Sequence, residues 1–283
     1  MALMRKKWCS RKALPISTDR IRAPLSPRLR ASGGFIIFNP MAPWAGVLHL
    51  EPVSWQDGWP LVGADLDHNG IGEPVYVWKK PAVAGSFPIR APQSDDGFAG
   101  PLPGLQWESN HNPVPSAWSL TQRPGWLCLH ALQADSFSHA LNTITQKIMG
   151  ARGEVTVRLD PAGFVDGQQA RLCAMSSIYT LIGVRRKAGQ LFLFFDTGRD
   201  TAYQEKPLPG KIAYLRMQLR LKTGENTCSY SVDGKNWQPF GGVFETRFGY
   251  WKGTRVGLFS FNTERDGGVA AFDWFHYDYD GPK

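Results

Sequence analysis

The chain has 283 residues with 42% hydrophobic and 12% aromatic content, enough for a packed core, and its 30 glycines and 21 prolines make it rich in turns. The net charge of +8 is uneven: residues 1–33 carry nine basic residues and one acid, Asp19, while the rest has 23 of each sign. The body therefore has no basic excess to hold nucleic acid or anionic lipid, and no apolar stretch reaches the length of a membrane span.

Residues 1–33 read as a disordered tail, poor in core-forming side chains and without a signal-peptide run. That favours the cytoplasm, although the composition also suits a transit peptide. From residue 34 the pattern turns to short strands, "GFIIF" and "GVLHLEPV", then a turn at Asp57-Gly58. "GADLDHNGIGEPV" follows, Gly63 to Val75, and has the rhythm of a calcium loop. Counted from Asp65, Gly70 stands at position 6, but Tyr76 stands at position 12, where an EF-hand needs a bidentate Glu. Residues 81–92 are punctuated by Pro81, Pro88 and Pro92 and read as a linker.

Strands recur from residue 93: "GEVTVRLD", "ARLCAM", "YTLIGVRR", "QLFLFF", "AYLRMQLRLKT", "TRVGLFSFNT" and "AAFDWFHYD". In "YLRMQLRLK", Leu215, Met217, Leu219 and Leu221 face one way and Arg216, Gln218 and Arg220 the other. Turns at Pro124-Gly125, Ala188-Gly189 and Asp233-Gly234 separate the runs. Residues 138–149 fit a helix no better than a strand or loop. Many short strands and almost no helix predict a two-sheet β-sandwich over 93–281. Cys9, Cys128, Cys173 and Cys228 have no metal-ligand spacing and read as free thiols. No G-x-S-x-G elbow is present to support a Ser-His-Asp triad.

The stretch "VLHLEPVSWQDGWPLVGADLDHNGIGEPV" resembles the end of the catalytic propeller of glycoside hydrolase family 43, of the β-xylosidase and arabinofuranosidase type. "LQWESNHNPVPSAWSLTQRPGWLCLHA", "IGVRRKAG", "YSVDGKNWQPFG" and "YWKGTRVGLFSFN" resemble that family's concanavalin A-like C-terminal domain. The resemblance implies an all-β chain: a concanavalin A-like jelly-roll sandwich (93–281) after a remnant of a five-bladed β-propeller (34–80).

It also implies an O-glycosyl hydrolase lineage acting on pentose oligosaccharides of the xylan or arabinan kind. Inversion needs one carboxylate as base and one carboxylic acid. In the family both sit on earlier blades, so the resemblance assigns no catalytic residue to this chain and implies a truncated relative, inactive alone. Aligned back from His49, the family's propeller His, Asp and Arg fall on Ile37, Pro40 and Gly46.

Two alternatives stand beside this reading: a carbohydrate-binding module using sandwich aromatics, and a glycosidase completed by a separately encoded propeller. By the resemblance, Trp251 with Tyr250 closes the propeller pocket around the terminal sugar. Asp96 and Asp273, at either end of the sandwich, are the candidate ligands of one structural calcium; an Asx-turn at Asp96 is the bland alternative. His111, in Asn-His-Asn-Pro, reads as a structural loop histidine.

Overall fold

The computed structural model describes residues 33–42, 45–79, 84–88, 90–198, 203–247 and 253–281, with side chains from residue 50 onward. The chain divides into two compact units at Ser86/Phe87, with residues 40–46 assigned to the second.

A three-stranded sheet runs in the order β1 (Gly33–Ala42), β2 (Ala45–Gln56) and β3 (Trp59–Val62), its residues other than 40–42 and 45–46 belonging to the first unit. Strands β2 and β3 meet at Asp57-Gly58, whose φ values of 50° and 81° give the turn that matches strand twist.

The sandwich begins with β4 (Glu108–Ser109), β5 (Trp118–Ser119), β6 (Leu127–His130) and β7 (Leu132–Gln133). Next come β8 (Thr143–Lys147), β9 (Arg152–Asp160), β10 (Gln168–Met175), β11 (Tyr179–Lys187) and β12 (Gln190–Asp196). It ends with β13 (Gln204–Pro207), β14 (Ala213–Arg220), β15 (Thr227–Ser231), β16 (Gln238–Pro239), β17 (Arg255–Asn262) and β18 (Val269–Tyr279). One sheet runs β13-β12-β11-β10-β17-β8-β4, with β7 added on β17; the other runs β16-β15-β14-β9-β18-β6-β5. Neighbours in both are antiparallel except β7 on β17. The ambiguous stretch 138–149 resolves into the end of a 3-10 turn (Phe137–His139) and strand β8.

Period-two alternation builds the core. Leu172 and Ala174 of β10, Ile182 and Val184 of β11, and Val256 and Leu258 of β17 meet Val155, Val157 and Leu159 of β9. Leu215, Met217, Leu219 and Leu221 join them, as the alternation predicts. Each such valine, leucine, isoleucine or methionine contributes about 1.5–3 kcal/mol by leaving water.

Strand β18 departs from simple alternation. Its register with β9 shifts between Phe272 and Phe275, and Phe272, Phe275, Tyr277 and Tyr279 all belong to the core. The bulge turns both Asp273 and Trp274 away from it. A smaller cluster, Phe137, Ala134, Ala140, Cys173, Met175, Leu181, Phe259 and Phe261, covers part of the outer face of the eight-stranded sheet. Cys128, Cys173 and Cys228 are buried free thiols, and burial pushes Cys173 up to about 12 despite Arg255 nearby.

Candidate functional site

Tyr250 and Trp251 lie outside the described residues. Their flanks are described. Thr254 donates from Oγ1 to the Arg247 carbonyl at 3.1 Å, joining the two described flanks. Arg255, the first residue of β17, is 4% exposed. Its Nη2 donates to Asn110 Oδ1 at 2.9 Å and its Nη1 to Thr145 Oγ1 at 3.3 Å. Burial lowers its pKa, with Cys173 and Glu108 opposing. Asn110 belongs to the Asn-His-Asn-Pro loop, and its N–H donates to the Thr143 carbonyl. That loop therefore anchors the strand that follows the aromatic pair. Next in the loop, His111 Nε2 lies 3.0 Å from the Ser138 carbonyl, a structural contact.

Asp96 sits where the chain enters the sandwich. Its backbone exchanges two hydrogen bonds with Phe275, each 2.9 Å. Its carboxylate accepts from Phe98 N at 2.8 Å, an Asx-turn, and from Trp107 Nε1 at 2.7 Å. Asp273 pairs instead with Arg158 of β9. The two carboxylates thus serve different partners, and a calcium ion joining them would have to displace Arg158 and Trp107.

The calcium-like loop turns its oxygens on itself. Asp65 accepts from Asn69 N and Gly70 N, both at 3.0 Å, and Asn69 Oδ1 accepts from Ile71 N. Asp67 accepts from Asn69 Nδ2 at 2.8 Å. Gly70, at φ 79°, allows the turn. No group of three or more His, Cys, Asp or Glu is gathered for a metal among the described residues.

Each sheet has a distinctive outer face. On the seven-stranded sheet, Trp126, Tyr214, Trp237 and Trp274 are half-buried. Arg123 lies 3.4 Å over the Trp126 ring and Arg216 3.6 Å over Trp237, so these two of the four rings already carry guanidinium covers.

On the eight-stranded sheet, Arg171 of β10 lies flat across β11 onto Phe194, 3.6 Å from the ring centroid. Gly183 makes this possible, because a Cβ there would sit 2.5 Å from Arg171 Cγ. Beside it Arg185 grips Glu205 through Nε and, at 2.6 Å, through Nη2. Burial pulls Arg171 down to about 9, Asp196 opposing and Arg185 adding to the effect. Burial, with Arg185 opposing and Glu205 adding, lifts Tyr203 up to about 12.

Arg171 and Arg255 escaped the sequence reading. Their single signal is an arginine among apolar neighbours in "ARLCAM" and "TRVGLF".

Comparison with known proteins decides the lineage. Residues 95–278 match the family described as "Beta xylosidase C-terminal Concanavalin A-like domain". The chain belongs to this family.

A β-xylosidase of Formosa agariphila is 40% identical to this family member over 259 residues, 83% of this chain and 43% of the relative. A putative β-xylosidase of Xylanibacter ruminicola is 36% identical over 75% of the chain and 39% of the relative. The chain thus spans less than half the length of these curated relatives. Among solved structures, a bifunctional GH43-CE protein of Bacteroides eggerthii superposes with TM-score 0.70 at 27% identity, covering 88% of this chain and 33% of that one. A GH43 glycoside hydrolase described as engineered for endo-xylanase and exo-arabinofuranosidase activity gives TM-score 0.68 at 25% identity, over 87% and 52%.

Proposed function

We propose that this chain supplies the pocket-closing sandwich of a family 43 glycosidase of the xylosidase or arabinofuranosidase type, acting on pentose glycans such as xylan or arabinan. In this reading the loop of Tyr250 and Trp251 caps the terminal sugar bound on a propeller, and the chain hydrolyses no glycoside unaided. The observation that carries it is the family match over 95–278, together with the loop stem held by Arg247, Thr254, Arg255 and Asn110.

Inverting hydrolysis needs an acid and a base about 6.5–9.5 Å apart with water between them. Six of the sandwich's carboxylates have structural tasks. Asp95, Asp96 and Asp280 accept backbone N–H groups, Asp160 and Asp273 pair with arginines, and Glu205 is gripped by Arg185. Catalysis then requires a propeller, on the same polypeptide or another.

The test uses aryl β-xylosides and aryl arabinofuranosides with the chain alone and with a family propeller added. No turnover above buffer is expected alone. Turnover that survives repurification and disappears on mutating an Asp or Glu of this chain would refute the reading.

A further inference from the structure

Arg171 is 5% exposed, yet its guanidinium donates no hydrogen bond to any described residue, and its Nε is enclosed without a partner. Its ion partner, Asp196 Oδ2, stands 3.7 Å from Nη1, beyond hydrogen-bond reach. Two positions along the same face of β10, Gln169 is 7% exposed, and its Oε1 is also buried without a partner. Buried polar groups are normally satisfied, and an under-bonded buried guanidinium is costly. Two of them on one face of β10 mark a place where the fold leaves polar side chains under-bonded, with the ends of both side chains, rather than the enclosed Nε and Oε1, free to meet a ligand.

The surroundings are built rather than loose. Gly183 clears the path for the Arg171 side chain, and Phe194 supports it from below. Asp196 Oδ1 accepts from Gly198 N at 2.6 Å, which leaves Oδ2 facing the guanidinium. Tyr203, 44% exposed and 6.5 Å from Phe194 between ring centroids, brings an aromatic surface beside the pair. Charge around the site is balanced: Arg171 and Arg185 face Asp196 and Glu205. A ligand with its own net charge would upset that balance.

A hydroxyl group fits it. Its oxygen accepts from the guanidinium while its proton goes to the Asp196 carboxylate, and a vicinal neighbour engages the carboxamide of Gln169. The C–H face of a sugar ring suits the exposed ring of Tyr203.

We propose that Arg171, Asp196, Gln169 and Tyr203 form a binding subsite for a neutral sugar with vicinal hydroxyls on the outer face of the eight-stranded sheet. Strand register places it across the middle of that sheet: Arg171 pairs with Phe259 and Gly183, and Gln169 with Phe261 and Arg185. Asp196 ends β12 opposite Leu181. The subsite would hold a sugar unit of a longer chain, away from the unit being cleaved. The inference rests on the proposed function for its choice of probe, a β-1,4-xylose trimer, and its readout is binding rather than hydrolysis, so the two fail separately.

The experiment follows the Tm and calorimetric affinity of the full chain with millimolar xylotriose, and with acetate as an anion. Xylotriose should bind and raise Tm, and acetate should do neither. Arg171→Met should weaken xylotriose binding about 10-fold or more, the effect of losing charged hydrogen bonds. Without ligand the same variant should melt at the same or a higher temperature, because it removes an under-bonded buried charge. Asp196→Asn should also weaken binding, while Trp237→Ala on the other sheet should leave it unchanged. The subsite is disproved if xylotriose does not bind, if acetate binds in its place, or if both Arg171→Met and Asp196→Asn bind with unchanged affinity. A purely structural Arg171 would show itself as a large fall in Tm for Arg171→Met; if that variant does not fold, Asp196→Asn alone decides the affinity arm.

Discussion

Replacing Asp96 with alanine should destabilise the sandwich by about 3 kcal/mol. The carboxylate accepts from Phe98 N at 2.8 Å and from the Trp107 indole at 2.7 Å. A hydrogen bond to a charged group contributes about 1.5–3 kcal/mol, and the lower part of that range applies to a half-buried acceptor. Two bonds then give about 3 kcal/mol. Phe98 adds to the loss, because the Asx-turn holds it at φ 50°, where a non-glycine residue is strained. Trp107 transmits the damage inward, since its ring packs edge-on against Phe275, 4.9 Å between centroids. At about 2–4 °C per kcal/mol for a domain of this size, Tm should fall by about 6–12 °C. The assay is a thermal scan in chelator and again in millimolar calcium. On the hydrogen-bond account the fall is the same in both. If the wild type gains stability in calcium, and Asp96→Ala loses stability only there, the carboxylate acts through a metal shared with Asp273 and the hydrogen-bond account is refuted.

Leu258→Ala, at a fully buried position of β17, should cost about 2–5 kcal/mol by urea unfolding; a loss under 1 kcal/mol would mean the two sheets close over the cavity. Asn226→Ala should lower the urea midpoint markedly, since the buried side chain accepts from Arg220 N at 2.7 Å and donates to the Phe244 carbonyl at 3.0 Å. Burial alone would raise the Glu205 pKa, but the Arg185 grip outweighs it and the net shift is downward. Its folded pKa is below its unfolded one, so this stability is present above the usual carboxylate range and is lost as pH falls through the folded value. Urea midpoints at pH 6 and pH 4 should therefore differ less in Glu205→Gln than in the wild type, and an equal difference would remove the role. Residues 87–283 expressed alone should unfold in one cooperative transition, and failure to fold would make the first unit part of the sandwich core.

Much of the fold was legible because alternation is a local property. Leu215, Met217, Leu219 and Leu221 fall in the core as their spacing predicts, and the Ala188-Gly189 dipeptide closes the β11–β12 hairpin with both φ values positive, 49° and 76°. Strand β18 was less legible. Simple alternation over Phe272–Phe275 would put one of the two phenylalanines outside, and the bulge there puts both inside. Nothing within five residues of sequence announces it, because the shift is set by packing against β9.

The candidate sites divide in the same way. Asp96 was found from its position near the start of the sandwich, but the structure was needed to show that its oxygens serve Phe98 and Trp107 while Asp273 serves Arg158. Sequence alone determined the all-β class, the sandwich strands, the family and the expectation that catalytic carboxylates belong to a propeller, because pattern and motif are written in neighbouring residues. Only the tertiary structure decided that Arg171 lies on Phe194 without a hydrogen bond and that Arg255 anchors the Asn110 loop. Phe194 reaches Arg171 from β12, across Gly183 of β11, and Asn110 reaches Arg255 across β8. Whether a buried cation is satisfied depends on strands brought together by sheet register, and no local run of residues encodes that.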